Sequence, residues 1–244
     1  MKTYKEKIYE YYFTKRVSRS SPKDISDLES RQPFYQNLID NYFPMEKDIK
    51  IVDLGCGYGA FVYCIRKNGY KDSLGVDASS EMVGVAEYLN IDGVRHGDIV
   101  SFLNEQPDES IDVLTAIDLI EHFSKQELFE LVAQFYRVLK KGGRIITHQP
   151  NAEGVFGNAI HYGDYTHEQS FTRVSIAQVF LSNGFNSIIS FEDKPLRHSL
   201  KSNIRRILWD FLVRPFYLFL IAVESGGSDK EVALTKNFFS IAVK

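Results

Sequence analysis

Cysteine is scarce in this chain: two residues in 244, Cys56 and Cys64, both close to a cluster of glycines. Such a pair gives no disulfide framework and no multi-cysteine metal site, and it fits small core residues in a reducing compartment. An excess of either charge is also missing. With 29 basic and 32 acidic residues the net charge is −3, which excludes the basic footprint of a protein whose main partner is a nucleic acid. The segment after Met1, Lys-Thr-Tyr-Lys-Glu-Lys, has no apolar core, so no secretory signal is expected and the cytoplasm is the expected location. The apolar run 207–223, about 17 residues, is interrupted by Asp210, Arg214 and Pro215 and should not span a bilayer. No linker divides the chain, so residues 1–244 are expected to form one domain.

What is present begins with Ile51-Val52-Asp53-Leu54-Gly55-Cys56-Gly57-Tyr58-Gly59-Ala60-Phe61. A short apolar run with an acid, alternating glycines and a new apolar period describe a buried strand, a tight turn and a helix N-terminus. Glycines there allow positive φ and let a ligand lie against the backbone. Two ligands compete for such a turn. Gly55-x-Gly57-x-x-Ala60 meets the loose dinucleotide fingerprint, and Asp77 follows at about the spacing of a ribose-binding acid. Asp53 argues the other way. A carboxylate within about 5 Å of a pyrophosphate repels it by a few kcal/mol, whereas the ammonium and sulfonium of S-adenosylmethionine suit an acid.

Apolar patterns continue in alternation. Strands are expected near 50–54, 73–77, 93–96, 111–117, 143–149, 186–192 and 238–243. Helices are expected over 59–68, 80–89, 98–104, 125–140 and 173–183. Alternation of this kind predicts a mostly parallel seven-stranded sheet with helices on both faces. Ligands in such sheets sit beyond the carboxyl ends of the strands, where Asp53, Asp77, Asp98 and Asp118 all fall.

Five segments in this order resemble the class I S-adenosylmethionine-dependent methyltransferases. They are Val52–Gly59, Gly75-Val76-Asp77-Ala78-Ser79, His96-Gly97-Asp98-Ile99, Asp112–His122 and Leu139–Ile146, and the resemblance covers roughly residues 30–192. It implies a Rossmann-like fold in which Asp53, Gly55, Gly57 and Gly59 belong to the methionine side of the cofactor site. Asp77 with Ala78 would hold the ribose. Asp98 and Ile99 would read the adenine, with Met82 packed on the ring and Ile117 bordering the donor. Arg31 is the candidate for the donor's carboxylate, a plain surface arginine being the alternative.

Candidates for the chemistry lie after the fifth strand, in Asn158–Thr172. His167, oriented by Asp164, is the first choice of base, because histidine takes a proton near neutral pH; a turn capped by Ser170 or Thr172 is the structural alternative. His122 is a further candidate. No metal is expected, and Asp118, Glu121 and His122 form the set that resembles a cation site in quinone O-methyltransferases. Two regions fall outside the minimal fold: an aromatic, charged arm over 1–30, either packing or a lid, and an insertion over 193–235 before the last strand. Its basic, apolar part, 195–223, suits a substrate lid, a dimer interface or contact with the inner face of a membrane. Within the superfamily the chain looks most like the ubiquinone-biosynthesis type and its relatives in bacterial surface-polysaccharide synthesis. That resemblance implies an O-methyltransferase acting on a glycan hydroxyl; a quinone hydroxyl and a non-catalytic cofactor-binding scaffold are the alternatives. Nothing in the pattern sets the oligomeric state.

Overall fold

The computed structural model describes residues 4–9, 22–197, 199–227 and 232–244. Seven strands are formed: β1 Ile51–Leu54, β2 Ser73–Asp77, β3 Val94–His96, β4 Ile111–Ile117, β5 Leu139–Pro150, β6 Ser187–Glu192 and β7 Asn237–Val243. The helices are α1 Tyr4–Tyr9, α2 Gln32–Tyr42, α3 Ala60–Lys67, α4 Ser80–Tyr88, α5 Ile99–Glu105, α6 Lys125–Val138, α7 Gly157–His161, α8 Arg173–Ser182, α9 Leu200–Leu208 and α10 Arg214–Ser225. The strands lie in the order β3-β2-β1-β4-β5-β7-β6. The first five are parallel, and β7 runs antiparallel between β5 and β6. This is the mostly parallel seven-stranded sheet that the sequence pattern predicts, in the Rossmann-like arrangement that the family resemblance implies.

Every residue of β1 is buried, as a strand covered on both faces must be. On one face the apolar sides of α5, α6 and α8 close over the sheet; on the other, those of α2, α3 and α4 do so. Helix α6 shows why. Ser124 and Glu127 form a capping box at its start, and Leu128, Leu131, Val132, Phe135 and Val138 recur at helical spacing and are buried. Each such side chain contributes about 1.5–3 kcal/mol of burial. The helix ends at Val138, two residues before the expected boundary. Leu139 already pairs with Ile111, and the ladder then shifts register before Val113 pairs with Arg144. Gly142, at φ 76°, makes that irregularity possible. The chain builds outward from β1 through β2 to β3, then returns to the other side as β4. The crevice beyond the carboxyl ends of β1 and β4 is therefore the switch point.

Residues 10–21 of the N-terminal arm lie outside the described residues; α1 and the segment from Pro22 lie within them. The insertion folds as α9, a π-helical segment over Trp209–Val213, and α10 without a break.

Candidate active site

The turn after β1 places Gly55, Gly57 and Gly59 at φ 70°, 56° and 76°, all in the left-handed region. Two of them are also tightly enclosed: a Cβ on Gly59 would stand 2.4 Å from Val94 Cγ2, and one on Gly55 2.9 Å from Leu119 Cδ1. Gly57 differs, because a Cβ there would meet no protein atom within 4 Å. Space over the middle of the turn is open. Asp77, at the end of β2, braces the turn: its Oδ2 accepts the Gly57 N–H at 2.7 Å and its Oδ1 the Ser79 N–H at 2.8 Å. Burial raises its pKa and these two amides oppose the rise. Asp53 is buried beneath, accepting the Thr115 hydroxyl at 2.6 Å. Burial pushes its carboxyl up to about 7, with Thr115 opposing and the Asp77 charge adding.

The other expected donor-side residues follow along the same rim. Asp98 caps α5, its Oδ1 accepting the Ser101 N–H at 2.8 Å, and Ile99 is buried behind it. Ser79 caps α4 through the Met82 N–H, which leaves the Met82 side chain half-buried near the end of β2. Ala78 is exposed and its carbonyl meets His96 Nε2 at 3.1 Å. Ile117 is half-buried at the end of β4. Arg31 directly precedes α2 and donates to the Tyr35 hydroxyl at 3.4 Å, with Asp118 near enough to favour its charge.

Beyond β4 and β5 the rim changes character. Asp118, at φ 53°, donates its N–H to the His148 carbonyl and accepts from His148 Nδ1 at 2.6 Å. His148 Nε2 lies 3.5 Å from Asp193. Burial works against a charge on His148, but Asp118 and Asp193 outweigh it and push the imidazole up to about 10. Burial likewise works to raise Asp118, yet His148 and Arg31 hold it below the ordinary carboxylate range. The pair is an imidazolium–carboxylate pair at neutral pH. Sequence inspection missed His148; its signal was a histidine near the end of an otherwise apolar strand, Ile145-Ile146-Thr147-His148.

A second cluster joins Glu121, His122 and His167, whose ligand atoms lie within 4.8 Å of one another. The set suggested by the resemblance to quinone O-methyltransferases, Asp118 with Glu121 and His122, is not the one brought together. Asp118 turns to His148, and His167 takes its place. Glu121 is 1% exposed with Oε2 unpartnered among the described residues, and burial raises its pKa strongly. The two imidazole rings are 4.7 Å apart.

Their hydrogen bonds fix the tautomers. His167 Nδ1 faces the Ile160 carbonyl at 3.1 Å, so Nδ1 is the donor and Nε2 carries the lone pair. The Thr166 hydroxyl donates to Asp164 Oδ1 at 2.6 Å and meets His122 Nδ1 at 2.9 Å, so His122 donates to Thr166 and also keeps its lone pair on Nε2. Asp164 thus acts on His122 through Thr166, while a carbonyl aligns His167. Burial lowers both histidines, His122 to about 4 with the neighbouring His167 adding to the effect. Thr172 caps α8 in a capping box with Ser175, so the cap and the base candidate are separate parts of one loop.

Helix α1 lies against this loop: Lys5 Nζ donates to the His122 carbonyl at 2.7 Å and pairs with Glu168 at 3.1 Å, and Tyr4 donates to Glu168. On the other side a cavity of about 1050 Å³ wraps the β6 edge of the sheet. Phe34, Phe239 and Asp193 line it, and all three also touch His148, so the cavity backs onto the rim. Lys194, Arg173, Arg206 and Arg214 line it together with Glu192 and Asp193, and Arg214 and Lys194 pair with Glu192 at 3.2 and 3.3 Å.

A family model described as a methyltransferase domain matches residues 28–190. A ubiquinone biosynthesis O-methyltransferase of Methylococcus capsulatus is 33% identical over 101 residues, 39% of this chain and 41% of that protein. A methyltransferase-like protein of Schizosaccharomyces pombe is 29% identical over 128 residues, 50% of this chain and 48% of its own length. The chain spans about half the length of the curated relatives it matches. Among solved structures, a SAM-dependent methyltransferase from Archaeoglobus fulgidus superposes with a TM-score of 0.66 at 20% identity, covering 90% of this chain and 97% of that one. Phosphoethanolamine N-methyltransferase 2 of Haemonchus contortus, in complex with S-adenosyl-L-methionine, gives 0.59 at 17% identity over 97% of this chain and 60% of that one. The structural likenesses show the fold; the family match spans the glycine turn, the acid rim and His122, His148 and His167, and by it this chain belongs to the methyltransferase-domain family.

Proposed function

We propose that this chain transfers a methyl group from S-adenosylmethionine to a hydroxyl, the acceptor being a sugar of a surface glycan in nucleotide- or lipid-linked form. The observation that carries the donor assignment is the open turn at Gly57 with Asp53 and Asp77 beneath it. An ammonium arriving there lowers the raised pKa of Asp53 and ionises it, whereas a pyrophosphate would raise it further. Gly55, Gly57 and Gly59 would line the methionine portion, Asp77 would take the ribose, and Asp98 with Ile99 and Met82 the adenine. Ile117 would border the donor and Arg31 its carboxylate.

The bound donor supplies a methyl group on sulfur that is already a good leaving group. The protein must align the acceptor and remove its proton. His167 suits the proton transfer, its pKa lowered by burial and its Nε2 facing the cluster 3.9 Å from Glu121 Oε1. His122, steadied by Thr166 and Asp164, stands beside it as the weaker base. Helix α1 covers the loop that carries them. The cavity of about 1050 Å³ that backs onto the rim, lined by both aromatic and charged side chains, supports an acceptor as bulky as a linked sugar. A quinone-ring hydroxyl is the second choice, favoured by the similarity to the ubiquinone biosynthesis O-methyltransferase.

Calorimetric titration with S-adenosylmethionine and, separately, with NAD tests the donor. Saturable binding of the first, lost in Asp77→Ala, is expected. Binding of NAD alone would overturn the assignment. Formation of S-adenosylhomocysteine with glycan rather than quinone acceptors then separates the two acceptor classes; donor binding without turnover on any acceptor would point to a scaffold.

A further inference from the structure

We propose that the outward face of the 200–225 helix is a docking surface for an anionic phospholipid bilayer. Leu200, Ile204, Leu208, Leu212, Phe216 and Phe219 follow one another at four- and three-residue intervals and are 49–79% exposed. In a plain α-helix a four-residue repeat drifts steadily around the axis, because a turn holds 3.6 residues. The π segment Trp209–Val213 sets that drift back, since a π turn takes more residues per revolution. Leu212 and Phe216 therefore stay in line with Ile204, and a single apolar stripe runs the length of the helix.

Charge separates the two sides of this helix. On the inner side Arg206 pairs with Asp210 at 2.6 Å, Lys194 with Asp210 at 3.6 Å, and Arg214 with Glu192 at 3.2 Å. The Lys194–Asp210 and Arg214–Glu192 pairs fasten the polar side to the domain, and the Arg206–Asp210 pair lies within the helix. Arg197, Lys201 and Arg205 are exposed at the start of the helix and form no ion pair among the described residues. Glu224, the remaining acid of the helix, stands at its opposite end. An apolar stripe flanked by uncompensated cations is complementary to negatively charged headgroups over an acyl layer. No helix among the described residues is long and apolar enough to cross a membrane, and the pairs from Asp210 to Lys194 and from Arg214 to Glu192 hold this one on the domain. Docking there does not depend on the chemistry at the rim.

Flotation of the full chain with vesicles of phosphatidylcholine alone, and of phosphatidylcholine mixed with phosphatidylglycerol, tests the proposal. Adding the anionic lipid is expected to raise partitioning by about tenfold or more, an effect that salt reduces. The double variant Lys201→Glu/Arg205→Glu should lose the preference for anionic lipid. Leu212→Ser/Phe219→Ser should lose binding to both vesicle types, and because both side chains are exposed it should keep the wild-type circular dichroism. Trp209, the single tryptophan, lies in this helix and reports docking by its emission. Equal partitioning of wild type and both variants would overturn the proposal. So would a dimer in sedimentation that the Leu212→Ser/Phe219→Ser variant dissolves while no form binds vesicles; the stripe would then belong to a second copy of the chain.

Discussion

The two halves of the rim are built differently. On the β1–β3 side, Asp77 holds Gly57 and Ser79 through their backbone amides, Gly55 donates to the Val76 carbonyl, and the parts come from short consecutive motifs. On the β4–β5 side, His148 meets Asp118 across 30 positions and Thr166 meets His122 across 44. The first half offers amides, glycines and half-buried acids, which hold a ligand. The second offers imidazoles in opposite states, His148 charged and His122 and His167 neutral, which move or retain protons. On the proposed function binding and chemistry are separated along one edge, and substitutions on the two sides should fail in different ways.

The largest effect is expected from His167→Ala. Loss of a positioned base lowers turnover by about 10²–10⁴-fold, with donor affinity unchanged by calorimetry. The pH profile gives an independent check. Burial lowers His167 below 6.5, so it stays unprotonated into more acidic solution than an exposed histidine. The acid limb of kcat/KM should therefore fall below pH 6.5. A limb at or above 6.5 would remove His167 from the role.

Asp77→Ala should do the reverse. The carboxylate that accepts two turn amides and is proposed to hold the ribose is lost, and charged hydrogen bonds are worth about 1.5–3 kcal/mol each. Donor affinity should drop about a hundredfold. If turnover at saturating donor fell as much as affinity, the division between the halves would not hold.

Gly57→Ala and Gly59→Ala sharpen the picture within the first half. Both carry positive φ, which costs a non-glycine residue roughly 1–2 kcal/mol. At Gly59 the new methyl also strikes Val94, so thermal stability should fall further and donor binding only follow it. At Gly57 the methyl enters open space, so stability should fall by the backbone cost alone while donor binding drops by tenfold or more. Equal affinity losses in the two variants, after correction for folding, would mean the space over Gly57 is not where the donor lies.

The sequence showed the first half almost completely, because its information is local. An acid, three glycines and a strand-helix junction lie within a dozen residues, and all seven strands fall within four residues of where apolar periodicity puts them. The second half was only partly visible. His122 and His167 stood out as polar residues in loops, but their partners depend on how the loop after β5 folds back over β4. Glu168 and Gln169 both donate their N–H groups to the Glu121 carbonyl, a contact that no spacing rule contains. His148 was hidden inside a strand. The insertion showed its amphipathic character in sequence, whereas the π segment that keeps its apolar stripe in line did not.

The smallest expected effect comes from that hidden histidine and concerns stability. His148 is raised from 6.5 to about 10 in the folded chain, so between those values the native state holds a proton that the unfolded state has released. Stability from the His148–Asp118 pair is then complete below pH 6.5 and is lost as pH rises through about 10. Asp118 is half exposed, so solvent screens part of the interaction. Each kcal/mol lost moves the melting temperature of a chain this size by about 2–4 °C. His148→Gln retains a donor toward Asp118 but cannot carry the charge. The variant should melt below wild type at pH 6.5, and the gap should close toward pH 10. A gap that stays constant with pH would mean His148 is neutral in the fold, and the rim beyond β5 would then resemble the other half in holding no fixed positive charge.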